Sequence, residues 1–477
     1  MHDKTDVLDQ RSADDFLNIE LARDAILLFA NSVLHYDFDD RYEQHFYRRK
    51  LRPHVLKYLD FSTPASVDQL LSYAVLSANR VLGAMYETDF LLLPSGPAME
   101  FDEKEFDEFY APGRRAAAAC AMPYLEKYLF SFLGQEIAVG GSWTLPRVEE
   151  YFGHILSQDA ASESLATRAI AASKDPKNAG QDWLLQLAPD FLLESSPMAR
   201  YASGSFGDLG TSLFKVIIDE LGYGEFDTKH STLFENTLRS ADLNHVPHHY
   251  WQYYLNSSLL LSNYFNMITR DKRHFFRYVG AIYYAETAFI TGCRQWADTL
   301  KNSIPGLDVR YFNEHCHIDV DHSRMVMSNL VRPAIERYGD RAANDIVRGF
   351  EESRWLGEWA EKDFQTQIAW KDKAAHYHEA HDRIFDAVAA KAAAGEVKAE
   401  TFVEPAGELS ITHCHDEDEL CHINSGVMEF INGFGKSTRL EAGKGIVIEH
   451  NRLHGALIES DECNYTIYTI RDVKQWV

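Results

Sequence analysis

The stretch FNEHCHIDVDH, residues 312–322, places His315, Asp319 and His322 at i, i+4 and i+7, which is one face of one α-helix. Three groups able to bind a metal therefore meet within two turns. The rival register from His317 reaches Asp321 and then Arg324, a cation that cannot serve as a ligand. A helix that turns such groups inward needs similar groups on its neighbours, because an unpaired charge in apolar surroundings is costly. Upstream, Glu220 in LFKVIIDEL has Leu213, Val216 and Ile217 at helical offsets behind it, and Glu286 in VGAIYYAETAFI has Ile282, Tyr283, Phe289 and Ile290. Both read as buried, which is rare for an unpaired glutamate. His230 comes ten residues after Glu220 across LGYGEFDTK, whose glycines end one helix before His230 opens the next. Glu194, in PDFLLESSPM, is a further candidate. Glu235 and His245 have a similar separation, but Ser231, Thr232 and Arg239 put Glu235 on a solvent face. On these residues alone a two-metal cluster, a single-metal site, buried salt bridges and satisfied core histidines all stay open.

Working outward, the segment from Asp15 to about Leu133 is helical by its three- and four-residue apolar spacing, with breaks at Ser62-Thr63-Pro64 and Pro94-Ser95-Gly96-Pro97. No His, Asp or Glu cluster shares an apolar stripe there, so it reads as a packing or dimerisation domain, and a homodimer is expected. GGSWTLPR (140–147) marks a boundary. The next block is helical again, with loops expected at KDPKNAG (174–180) and SIPGLD (303–308). More helix follows Arg332 and ends in IFDAVAAKAAAGEVKAE (384–400), read as a helix fading into a linker. The resulting divisions are 1–138, 139–335, 336–400 and 401–477: a helical N-terminal domain, a helical bundle, a helical connector and a small β domain.

From about Thr401 the period changes to two, in ELSITHCH, GVMEFING and KGIVIEH. In an extended strand His413 and His415 face the same way while Cys414 faces the other, a bidentate grip for a metal. His454 follows a second strand and offers a third imidazole, and Glu419 is a possible fourth ligand. The spacing is specific: Gly407, five residues, His413, one, His415, three, Glu419, six, Gly426. This run resembles the first motif of the cupins. In the second motif Gly443 and His454 fit, while Glu449 and Asn451 stand where cupins usually have proline and glycine. An imidazole set that leaves coordination positions open suits Fe(II).

The order of Glu220 within ELGYG, then His230, then Glu286 in an apolar helix, then HxxxDxxH resembles the haem-oxygenase-like di-iron oxidases. That resemblance implies that Glu194, Glu220, His230, Glu286, His315, Asp319 and His322 hold two Fe(II) ions that activate O2. The whole arrangement, a helical domain, such a bundle and a cupin barrel, is similar to the N-nitrosourea-forming metalloenzymes of streptozotocin biosynthesis. It implies a third Fe(II) at His413, His415 and His454. The implied reaction is N-hydroxylation of the guanidine of Nω-methyl-L-arginine at the di-iron site, then oxidative rearrangement to an N-nitrosourea at the cupin iron. Reduction falls to an external electron donor that no motif in the chain identifies.

The remaining features exclude other classes. A chain of 477 residues, 45% hydrophobic and 25% charged, has material for two or three globular domains. A net charge of -25 repels phosphate backbones and anionic lipid, so neither nucleic acid nor a membrane is an expected partner, and a small guanidine-containing amino acid is compatible. MHDKTDVLDQRSADD lacks a basic and apolar leader pattern, and six scattered cysteines without CxxC pairs suit a reducing compartment, so a cytoplasmic location is expected. Two alternatives differ in class: a di-iron N-oxygenase of another amine or guanidine whose cupin is structural or product-shaping, and a cupin-based small-molecule sensor on a helical scaffold.

Overall fold

Two long helices, Phe275–Ser303 and Asp340–Asp372, form the spine of the helical region. Reciprocal glycines set how closely they approach. A Cβ on Gly280 would run into the backbone carbonyl of Ile346, and one on Gly349 into the carbonyl of Arg277. Glycine weakens a helix by roughly 1 kcal/mol against alanine, so its presence in both interiors marks backbone-to-backbone contact. The computed structural model describes residues 19–36, 40–94, 101–204 and 207–470. The start read at Asp15 and positions 95–97 of the second break lie outside the described residues.

Helices occupy the chain from Ile19 to Ala393, and eight antiparallel strands follow between Lys398 and Ile470. The fold is thus mainly α, a haem-oxygenase-like bundle preceded by further helices and followed by a cupin-like β domain. SIPGLD is a loop as expected, and it turns the chain back so that Arg310–Val326 packs along Phe275–Ser303. Beyond His322 the helix loosens into a π-helical turn, Met327–Val331, next to Pro333, which has no N–H to donate.

KDPKNAG differs from expectation. Asp175 accepts a hydrogen bond from the backbone N–H of Asn178 and Pro176 occupies the first turn, so composition that usually signals a loop here opens the helix Pro176–Phe191. The segment 336–400 holds two substantial helices. Asp340–Asp372 packs along the bundle, and Ala374–Ala393 leans on the β domain. One continuous set of buried apolar side chains runs from Ala25 through the bundle to Leu453, so the first helices share a core with the metal-facing ones. Within those first helices, buried Glu87 is bracketed by Arg49 and His248.

The strands are β1 Lys398–Pro405, β2 Leu409–His413, β3 Asp418–Ser425, β4 Val427–Gly433, β5 Lys436–Glu441, β6 Gly445–Ile448, β7 His454–Ile458 and β8 Glu462–Ile470. They form two sheets, ordered β1-β8-β3-β6 and β2-β7-β4-β5. β1 begins three residues before the expected change of period, because it is exposed along nearly its whole length and shows no alternation. Gly426 is obligatory in its turn: its φ is +88°, and a Cβ there would meet the backbone of Glu462.

Gly280→Ala should therefore lower the melting temperature, at a cost on the order of 2–3 kcal/mol, as overpacking does in a rigid contact. Gly153→Ala, in the helix Leu145–Ala161 with open space around it, should be neutral or stabilising by up to about 1 kcal/mol. Thermal denaturation of the two variants side by side checks the contrast.

Candidate metal centres

Four helices and one turn bring the seven candidate residues of the bundle together. Glu220 is the last residue of Asp208–Glu220, and His230 is the first of His230–Ser240. Glu286 lies in the middle of Phe275–Ser303, and His315, Asp319 and His322 line one face of Arg310–Val326. Glu194 stands in the turn after Pro176–Phe191. Six of the seven are at most 6% exposed, which places them in the core. The rival register faces water, with Asp321 and Arg324 paired on the surface at 2.9 Å, whereas Glu235, expected on a solvent face, is half-buried beside buried Ser231 and Thr232 and pairs with Arg239.

The donor atoms fall into two nests, each no more than 4.8 Å across. Glu194, Glu220, His230 and His315 make one, and Glu220, Glu286 and His322 the other. Glu220 belongs to both. Its Oε2 is 2.8 Å from His230 Nδ1, while its Oε1 is 3.5 Å from His322 Nδ1. Asp319 lies between the nests, 3.2 Å from His315 Nδ1 and 3.8 Å from His322 Nδ1.

Within this site the ionisation of each group is distorted by its surroundings. Burial pushes the Asp319 carboxyl well above the usual range against the pull of His315. Burial alone would lower His322, but its hydrogen bond to Glu286 and that residue's charge raise it to about 9. Burial would likewise raise Glu220, and contact with His230 holds it low instead. Four acids and three imidazoles thus share protons in a dry space.

Hydrogen bonding does not satisfy all of them. Glu220 Oε2 and His230 Nδ1 are close, yet neither makes a hydrogen bond of acceptable geometry, and Glu194 Oε2 and His315 Nε2 are also buried without one. Lone pairs that converge on a shared point rather than on one another are the arrangement a metal ion satisfies. Carboxylates with imidazoles are a donor set that iron accepts.

Three residues escaped the sequence reading. Asp219 Oδ2 lies 3.2 Å from His322 Nε2, which turns the ring so that Nδ1 faces Glu286 at 3.1 Å. The Tyr311 hydroxyl donates to Glu194 Oε1 at 2.9 Å. Extending the His315 stripe back by one turn would have found Tyr311, whereas Asp219 looked like a surface acid beside Glu220. Asp190, one turn before Glu194, is pushed up to about 7 by burial first and then by the Glu194 charge. It lines a cavity of about 980 Å³ that reaches Glu194, Glu220, Glu286 and His315. That volume is in the range of small-molecule sites.

In the β domain, His413 on β2 and His454 on β7 are directly opposed partners across the sheet. His415 follows two residues later, and the three donor atoms lie within 4.8 Å of one another. Nδ1–H of His413 donates to the Ile411 carbonyl and that of His454 to the Arg452 carbonyl, both at 2.8 Å, which leaves each Nε2 with its lone pair. Burial lowers all three, with mutual repulsion adding for His413 and His454, to about 4 for His415 and about 3 for His454. Neutral imidazoles facing one point fit a metal. Glu419 Oε2 is 3.2 Å from His415 Nε2 but falls outside the grouping of three, and burial pushes its carboxyl up to about 7. The turn before His454 is intact despite its unusual sequence, because Asn451 takes the left-handed conformation (φ 60°) and donates its N–H to the His415 carbonyl.

Side chains of the helical region hold both histidine strands. Arg80 donates to the Thr412 carbonyl at 2.9 Å, one residue before His413. Gln367, on Asp340–Asp372, clasps the backbone of Leu453, one residue before His454, through both its amide groups at 2.9 and 3.0 Å.

The comparisons with known proteins agree with this geometry. A family model described as an iron-containing redox enzyme matches residues 181–358, the span that contains both helical nests. The nitrosourea synthase of Streptomyces achromogenes subsp. streptozoticus is 45% identical over 456 residues, 95% of this chain and 96% of that protein. Among solved structures, KdgF from Halomonas sp. is 23% identical over 17% of this chain and 74% of its own, with a TM-score of 0.14. An HTH_3 family transcriptional regulator from Vibrio cholerae is 13% identical over 32% and 93%, with a TM-score of 0.15. Neither of those two bears on the fold. Among the described residues no helix is long and apolar enough to cross a membrane. By its extended identity and its matched bundle, the chain is an iron-dependent enzyme and belongs to the nitrosourea synthase family.

Proposed function

We propose that this protein is an O2-dependent non-haem iron oxygenase with two irons in the helical nests and one in the barrel. With O2 and electrons from an external donor, it N-hydroxylates the guanidine of Nω-methyl-L-arginine in the bundle, and it oxidatively rearranges the product with O2 to an N-nitrosourea in the barrel. The observation that carries this reading is the division of Glu220, one oxygen facing the His230 nest and the other the His322 nest. A carboxylate shared in this way suits a pair of metal ions better than a single one. Nitrosourea formation is named for the relative that is 45% identical across nearly the whole chain, and the same outcome is proposed here.

Iron bound in the nests supplies the activation of O2, a chemistry that no side chain provides. The protein's own groups do the rest. Asp219 and Tyr311 fix the orientation of His322 and Glu194 before any ligand arrives, so the donor set is preorganised. The cavity walls, with Trp183, Phe191, Phe289 and Trp296 among them, keep bulk water from the reacting end of the substrate. In the barrel the two backbone-anchored imidazoles and His415 would hold the iron, which would supply the chemistry of the rearrangement.

Two substitutions test the division of labour. Glu220→Ala should abolish hydroxylation of methylarginine and cost the protein its bundle iron while the barrel iron stays, as read by elemental analysis and mass spectrometry of products. His454→Ala should leave hydroxylation intact and let the hydroxylated guanidine accumulate in place of the nitrosourea. Unchanged nitrosourea output from His454→Ala would make the barrel a structural or product-shaping element.

A further inference from the structure

The wall of the bundle cavity carries several acids besides those of the nests, and nearly all of them are committed. Tyr284 donates to Asp159 at 3.3 Å, and Arg354 to Glu358 at 2.6 Å. Arg168 pairs with Glu163, and Glu361 accepts from Ser164 and from the backbone N–H of Leu165 at the start of the helix Leu165–Ala172. Asp190 is different. Among the described residues its carboxylate has neither a hydrogen bond nor an ion pair, although protein packs closely around it and its open side is the cavity. A half-buried carboxylate that faces a cavity without a partner in the protein is open to a cationic ligand.

Its position indicates what that is. Asp190 sits in the last turn of Pro176–Phe191, one turn before Glu194, so a group bound to it lies beside the nest of Glu194, His230 and His315. We propose that Asp190 is the substrate-binding carboxylate of the bundle site, receiving the guanidinium through a planar pair of N–H donors and presenting a guanidine nitrogen to the Glu194 side of the cluster. A planar guanidinium matches a carboxylate in two parallel hydrogen bonds, and the cation offsets the negative charge that Asp190 would otherwise add next to Glu194. The same geometry rejects a neutral ureido compound of equal shape, because binding it would leave the carboxylate uncompensated. This assignment rests on the guanidine reading above and adds to it the residue that selects for a cation.

The test compares Asp190→Asn, which keeps the shape and removes the charge, with the wild-type full-length, iron-loaded enzyme. KM for methylarginine in the first hydroxylation should rise about 10- to 100-fold, with kcat changed by no more than a few fold, and iron content and melting temperature unchanged. The preference for methylarginine over citrulline, its neutral counterpart, should collapse. A structural role would shift stability or iron content and leave that preference alone. Asp190→Glu, which keeps the charge, should keep the preference, and it serves as the readable variant if Asp190→Asn does not fold. An unchanged KM and preference in Asp190→Asn, or a preference lost in Asp190→Glu, overturns the assignment. Should the wild type oxidise no guanidine, the functional reading fails separately. Asp190 is then judged by equilibrium binding of methylguanidinium to the oxygen-free protein: weaker binding to Asp190→Asn supports the cation site, and equal or absent binding to both overturns it.

Discussion

Glu220, His230, Glu286, His315, Asp319 and His322 occupy the middle of an apolar bundle at 6% exposure or less, and much of the surrounding structure serves to hold them there. Removing a carboxylate from water is expensive, and a histidine opposite it offsets the cost only when geometry allows a good hydrogen bond. Here the geometry allows few. Glu220 Oε2 and His230 Nδ1 are near neighbours that do not bond well, because both are aimed at the space between them. Such a cluster tolerates little movement. One of the helices that carry it, Phe275–Ser303, is locked from behind by the reciprocal contact of Gly280 and Gly349, where backbone meets backbone and no side chain can adjust.

How far the sequence could be read follows from the same physics. His315, Asp319 and His322 were legible because helical periodicity is a local property, and burial of Glu220 and Glu286 was legible from the apolar residues at their helical offsets. The cupin spacing was legible because strand register is equally local, and the pairing of His413 with His454 agrees with it. What stayed hidden was non-local or looked ordinary. Asp219 is one residue from Glu220 and gains its role only through His322, more than a hundred residues away. Asp418, next to the candidate Glu419, gave no local signal, yet the two open the buried strand β3, where Asp418 accepts from the backbone N–H of His450. KDPKNAG misled because proline and asparagine signal both loops and helix starts, and only the cap of Asp175 decides between them.

The two candidate centres are built differently. The bundle site draws donors from several helices, and a cavity of about 980 Å³ reaches it. The barrel trio comes from one strand pair and the turn beside it, and its histidine rings are pinned by their own backbones. β2 is the edge strand of its sheet, with β7 between it and β4, and Arg80 and Gln367 add a grip on the residues immediately before His413 and His454.

Gln367 gives that grip a further consequence. It lies on Asp340–Asp372, the same helix whose Gly349 meets Phe275–Ser303, and Phe275–Ser303 carries Glu286. A continuous rigid element therefore runs from the bundle cluster to the barrel trio. Its contact near Gly349 is backbone against backbone, and at Gln367 a buried side-chain amide clasps a strand through two hydrogen bonds. Lys371, one turn beyond Gln367, adds a buried ion pair with Asp182 at 2.6 Å and donates to the Phe434 carbonyl, fixing the barrel also to the helix that bears Asp190. The barrel is thus held in a set position against the walls of the bundle, not tethered loosely to its end.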